Sequence, residues 1–429
     1  MKVCVQGLWH LGTVTAACLA DAGFTVVGQD GDASTVSALK EGRAPLFEPG
    51  LDAFVAKGLV AGRLAFTTDL AKAVAEADVL CVTYDTPVDD DDRADSDFVI
   101  GQVRATFPFL RRNVVVLVSS QLPVGSVARL EGAHAAGSYP GPIHFACSPE
   151  NLRLGKAIEA FTKAERIVVG VRDAKAKAIL QPLLQPFCVH LLWVSVEAAE
   201  MTKHALNAFL ATSVTFINEI ATLCEQEGID AAEVESALRS EPRIGQRAYI
   251  RPGSGFAGGT LARDVIFLTQ IGARHGSSLP LLESIVPSNI AHRKWAFRQI
   301  ERHFLSGRGK RVAVLGLAYT PGTSAIRRSV AVELCRDLLA WGAEVRAHDP
   351  VVSGLPDDLA AVQLCVSAHK AAEGADALVL ATAWPHYEQL PAADVVGAMR
   401  EKLVIDPDRF LSSWEALPNV RYLTIGRRK

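Results

Sequence analysis

The chain has 429 residues, 49% hydrophobic and 21% charged, with a formal net charge of −3. That length holds two or three domains with sizeable cores, and the near-neutral, interspersed charge leaves no footprint for a nucleic acid or a membrane surface. The eight cysteines are scattered with no C-x-x-C pair, which points to reduced thiols in a cytoplasmic protein and against a disulfide frame or a metal site.

The first 30 residues set out a recognisable order. A short apolar run (2–6) is followed by a glycine-bracketed turn, an amphipathic helix, a second apolar run (25–29) and an acid, Asp30. This is the order of a dinucleotide-binding unit. In the usual G-x-G-x-x-G turn the first glycine permits the bend and the second lets the backbone approach the pyrophosphate. Here the turn reads Gly7, Leu8, Trp9, His10, Leu11, Gly12, so Trp9 stands at the second glycine and is expected to crowd the cofactor. Gly7, Gly12 and the free amides of the following helix remain. Asp30 is placed to accept from a ribose hydroxyl, which favours NAD over NADP. The competing reading is a degenerate, empty turn capped by Trp9.

Further β-rich runs follow at 77–84, 113–120, 143–147 and 166–171, with helix-like text between most of them. They predict a doubly wound parallel sheet over roughly the first 185 residues. The acidic run at 89–92 reads as a solvated loop. Residues 195–228 contain no proline and no internal glycine before Gly228, which predicts one long helix, suited to connecting domains and to carrying a dimer interface. No apolar run reaches the ~18 residues of a membrane span. Helical text continues to about 305, and a second α/β series begins at 310–319 and continues at 343–350, 377–384 and 402–407. The expected fold is α/β, two Rossmann-like doubly wound domains joined by a long central helix and a helical middle region, divided as 1–190, 191–305 and 306–429.

Nine segments then fall in a fixed order: "PLFEPGL" (45–51), "TTDLAKAVAEADV" (67–79), "TPVD" (86–89), "LPVGS" (122–126), "SPENLRLGKAIEAF" (148–161), "EMTKHALNAFLATSVTFINE" (200–219), "PRIG" (242–245), "PGSGFAGGTLARD" (252–264) and "VLGLAYTPGTSAIRRS" (314–329). Together they resemble the UDP-glucose/GDP-mannose dehydrogenase family over nearly the whole chain. The resemblance implies an NAD-dependent oxidoreductase acting on the C6 hydroxyl of a nucleotide sugar, UDP-glucose-like, for polysaccharide or glycan precursor synthesis. It also implies a homodimer or higher oligomer. Toward the cofactor it places Gly7 to Gly12, Asp30, Thr86, Pro87, Ser120, Gln121 and Arg327. Toward the substrate it places Arg243, Gly253, Gly255, Phe256 and Arg409. Arginine forks suit phosphates but do not tell uridine from guanosine.

Family members oxidise the alcohol twice, and the second step uses a thiol that traps the aldehyde. Lys203 and Asn207, one helical turn apart, match the pair that meets the reacting oxygen, and Glu150 matches the general base. Asp264 is also kept. At the thiol position, however, stands Thr260, a poor nucleophile without a dedicated base. Three further departures accompany it: Gln121 for a threonine, Leu154 for an acid and Thr320 for a lysine. Cys147, three residues before Glu150, is the one thiol placed to substitute, although a small buried core residue explains it better. Two other readings therefore stand beside full oxidation: a two-electron dehydrogenase stopping at the aldehyde or acting at another hydroxyl, and a non-catalytic nucleotide-sugar-binding relative.

Overall fold

The computed structural model describes residues 1–87, 94–150, 152, 154–257 and 259–427; the acidic run at 89–92 lies outside them. The chain forms two compact units, Met1–Ala205 and Leu206–Lys429.

The first unit is built on eight strands: β1 Lys2–Gln6, β2 Thr25–Gln29, β3 Leu64–Thr67, β4 Val79–Val82, β5 Val115–Val118, β6 His144–Cys147, β7 Ile167–Val171 and β8 Leu191–Val194. Their order is β3-β2-β1-β4-β5-β6-β7-β8. The strands are apolar on both sides because both faces of the sheet are covered. Val3, Val5, Cys81 and Leu117 enter one core, whereas Cys4, Leu80, Val82, Val116 and Val118 enter the other. The period of two along each strand thus divides one apolar run between two cores.

One expectation fails here. The run 166–171 does form β7, but it pairs antiparallel to β6, through Cys147↔Gly170 and Ala146↔Val171. The helix between them, Ala157–Thr162, has six residues, about 9 Å of rise. The chain does not return down the sheet before β7 begins, so β7 starts beyond the carboxyl end of β6 and runs back. β8 then pairs parallel to β7.

The second unit repeats the plan with β9 Arg311–Leu315, β10 Glu344–His348, β11 Gln363–Leu364, β12 Ala377–Leu380, β13 Leu403–Ile405 and β14 Arg421–Leu423, in the order β11-β10-β9-β12-β13-β14 and all parallel. This is the order of the first six strands of the other sheet. In each, the order reverses between the first strand and its fourth-numbered neighbour, which is where open α/β sheets hold ligands at their carboxyl edge.

The long helix is observed at Val196–Glu227, 32 residues. By length and composition alone it is apolar enough to cross a membrane, although polar residues interrupt its apolar text throughout. Its early polar side chains are matched to protein groups. Glu200 is buried and accepts the Gly125 and Val127 amides at 2.7 and 2.9 Å, and His204 meets the Leu122 carbonyl at 2.9 Å. Burial pushes the Glu200 carboxyl above its ordinary range.

Candidate active site

The carboxyl edge of the first sheet carries the turn from Gly7 to Gly12. Gly7 has a φ of 93°, in the left-handed region that favours glycine, and its amide donates to Gln29 O at 2.9 Å. A Cβ on Gly12 would lie 1.7 Å from the Gly7 carbonyl oxygen, so the helix His10–Asp21 packs this closely against the turn only because Gly12 has no side chain. Trp9 is different. It caps that helix with an extended φ of −75°, so its backbone does not need glycine, and the residue is 47% exposed. Only the proximity of a cofactor would ask for glycine there.

Asp30, at the end of β2, accepts the Leu8 amide on Oδ2 at 2.7 Å and the Asp32 amide on Oδ1 at 2.9 Å. A carboxylate offers about four acceptor sites, so Asp30 keeps capacity for a ribose hydroxyl. The corresponding acid of the second unit, Asp349, has none to spare. It accepts the amides of Leu317, Ala318, Val351 and Val352 and the Trp384 indole N–H, all at 2.7 to 3.1 Å. Burial alone would raise the Asp349 carboxyl, yet the four backbone amides hold it below the usual range. The two turns therefore share a plan, but the acid of the first is the one with acceptor sites open to a dinucleotide. The glycine cradle, the helix N-terminus and Asp30 fit NAD.

The remaining first-unit residues gather along the same edge, at the ends of β4, β5 and β6. The Thr86 hydroxyl donates to Gln121 O at 2.6 Å, Pro87 is exposed beside it, and Ser120 is buried. Ser120, Gln121, Cys147, Pro149 and Lys203 line one cavity of about 10 Å³, the size of a single water. Glu150 faces a separate, mainly apolar cavity of about 90 Å³ that shares Pro149 with the first. Burial, with the Glu200 charge added, pushes the Cys147 thiol far above its ordinary range, so it is held as an unreactive thiol.

In the second unit, Asn207 donates to Asp264, and both are buried. Thr260 is exposed at the first position of the helix Thr260–Arg274. Gly253, Gly255 and Phe256 belong to a loop gripped by Asn218, Asn289, His292 and Asp408, none of which stood out in the sequence. Arg243 is exposed and pairs with Glu241 at 2.8 Å. Arg409, with a φ of 56°, is committed to Asp230, one contact being 3.1 Å; Arg327 is exposed. A further unforeseen residue is Glu48 of the first unit. Its buried carboxylate accepts the Gly155 and Ala157 amides at 2.9 and 2.8 Å and meets His10 Nε2 at 2.9 Å. The "PLFEPGL" segment was visible, but nothing local in it announces partners more than 100 residues away.

Comparison with known proteins adds the family. Three models match in order: the NAD binding domain of the UDP-glucose/GDP-mannose dehydrogenase family over residues 1–188, its central domain over 197–291, and its UDP binding domain over 313–413. The chain belongs to this family. It is an NAD-dependent oxidoreductase of the nucleotide-sugar dehydrogenase type, acting on CH–OH. It is 34% identical over 422 residues to a UDP-glucose 6-dehydrogenase of Pseudomonas aeruginosa, covering 95% of this chain and 93% of the relative. Among solved structures it is similar to a UDP-glucose dehydrogenase from Pyrobaculum islandicum, with a TM-score of 0.90, 30% identity, and coverage of 100% of this chain and 98% of that one. It is also similar to a UDP-D-ManNAc dehydrogenase from Pyrococcus horikoshii, with a TM-score of 0.86, 25% identity, and coverage of 100% and 99%.

Proposed function

We propose that this dehydrogenase oxidises the C6 hydroxyl of a UDP-hexose of the UDP-glucose type, in the cytoplasm, to supply a precursor for polysaccharide or glycan synthesis. The observation that carries this reading is the carboxyl edge of the first sheet, where the glycine turn, Asp30, Ser120, Gln121 and Lys203 all belong to one unit whose relatives include UDP-glucose dehydrogenases. NAD, when bound, accepts the hydride from carbon. Lys203 presents an ammonium to the oxygen as negative charge develops on it, and Glu150 takes the hydroxyl proton. The resemblance assigns Asn207, Asp264 and Thr260 to the same chemistry, and Arg243, Gly253, Gly255, Phe256, Arg327 and Arg409 to binding. The same reading divides the chain at about 190 and 305 and makes it a homodimer or higher oligomer, with the exposed Phe209, Phe216 and Leu223 of the long helix spaced by seven along one side.

A second reading is favoured by a specific observation. Thr260 stands where the family keeps its thiol, and among the eight cysteines seven are buried while Cys365, half-buried, belongs to the edge of the second sheet. The reaction then stops after one hydride and releases the aldehyde or its hydrate. The test is a panel of nucleotide sugars with NAD and NADP, followed by absorbance of the reduced cofactor. NADH formation with a UDP-hexose, and a loss of about 100-fold or more in Lys203→Ala, supports the proposal. No NADH with any nucleotide sugar sinks it.

A further inference from the structure

The loop 252–256, Pro-Gly-Ser-Gly-Phe, contains neither helix nor strand and leads toward the helix Thr260–Arg274. Its backbone groups therefore need partners from elsewhere. Asn289, on the helix Pro280–Arg293, takes both polar groups of Phe256: the Phe256 amide donates to Asn289 Oδ1 and Asn289 Nδ2 donates to Phe256 O, each at 2.9 Å. One turn further on the same helix, His292 Nε2 donates to Gly253 O at 2.9 Å. From the long helix, Asn218 Oδ1 accepts the Gly253 amide at 3.1 Å. Asp408 accepts the Ser254 amide and hydroxyl at 2.7 and 2.9 Å. Asn218, Asn289 and His292 are 2%, 3% and 8% exposed, so these bonds are shielded from water.

The two glycines of the loop record the same clamp. Neither takes a left-handed φ, so conformational freedom is not what they supply. A Cβ at Gly253 would lie 2.2 Å from Asp408 Oδ1, and one at Gly255 would lie 2.7 Å from Asn289 Oδ1. Both are glycine because the clamping side chains come this close.

We infer that Asn289 is a positioning residue for nucleotide-sugar binding, its carboxamide fixing the backbone of Phe256 and with it the shape of the loop before substrate arrives. This rests on the proposed reading that the loop faces the nucleotide sugar. Asparagine is the right residue because the position needs one acceptor and one donor on a short stem; an aspartate offers only acceptors and would oppose the Phe256 carbonyl. A loop ordered in advance loses less freedom on binding.

The experiment compares the full-length wild type with Asn289→Asp and Asn289→Ala, using UDP-glucose and NAD. Three quantities are read: hydrogen exchange of the segment 252–257 in the free protein, KM for UDP-glucose against kcat, and NAD affinity by calorimetry. The expected result is faster exchange of that segment in both variants, with KM for UDP-glucose raised about tenfold, equivalent to about 1.4 kcal/mol. The turnover number and NAD affinity should stay close to wild type. A purely structural asparagine would instead lower the melting temperature and the active fraction at constant KM. Wild-type exchange, or a KM within about twofold of wild type, overturns the inference. If the alanine variant fails to fold, the near-isosteric aspartate variant carries the test. If the wild type oxidises no nucleotide sugar, the proposed function falls, and the exchange rates still decide whether Asn289 orders the loop.

Discussion

Replacing Glu48 with alanine is the sharpest perturbation of the first unit. The Glu48 side chain is 1% exposed and accepts from three donors: the Gly155 amide, the Ala157 amide and His10 Nε2. Alanine leaves all three without that acceptor in a buried place. Each orphaned buried donor costs about 1–3 kcal/mol, and there are three of them. Partial rehydration offsets some of this, so a total of about 3–5 kcal/mol is expected. For a unit of about 200 residues, each kcal/mol moves the melting temperature by about 2–4 °C. Glu48→Ala should therefore lower the first-unit transition by about 10 °C in scanning calorimetry. His10 opens the helix that follows the glycine turn, so on the proposed reading NAD affinity should also fall. Glu76→Ala is the control: its pair with Lys2 lies on the surface, with side chains 75% and 57% exposed, and it should leave the transition in place. A Glu48→Ala transition as high as that of Glu76→Ala would refute the reasoning.

Three other outcomes are expected. Gly12→Ala should abolish NAD binding in a calorimetric titration while sparing the second-unit transition, because the new methyl would overlap the Gly7 carbonyl; wild-type affinity would show that the turn adapts. Asp349 has a depressed folded pKa, so its contribution to stability is present above the unfolded carboxylate value of about 3.9 and is lost as pH falls through the folded value. Asp349→Asn should lower second-unit stability at neutral pH and flatten its acid dependence, and an unchanged acid limb in pH-dependent melting would contradict this. Trp9→Gly should tighten NAD binding if the indole crowds the pyrophosphate, and equal affinity by calorimetry would show that the half-exposed ring stands clear.

The pattern of what was legible has a physical basis. The central strands β1, β2, β4, β5 and β6 were visible because burial on both faces writes continuous apolar runs into the chain. The strands that went unread, β3, β8, β11 and β14, are the outer strands of the two sheets. They are two to four residues long, and an edge position needs less apolar text. The glycine turn, and Asp30 closing the second strand beside it, were legible because such a turn demands particular residues at fixed spacing. Glu48, Asn218, Asn289 and Asp408 were not, because each acts on the backbone of a segment distant in sequence. Their identities acquire meaning only once the fold supplies those partners.

The most direct test of the central claim is the number of NADH molecules formed per UDP-hexose consumed, read with the mass of the product. NADH formation is the expected result, and on the second reading about one NADH per sugar with an aldehyde or its hydrate as product, because a threonine hydroxyl is a poor nucleophile without a dedicated base. An absence of NADH would contradict the assignment of a nucleotide-sugar substrate. Two NADH per sugar with a uronic acid product would contradict the reading of Thr260.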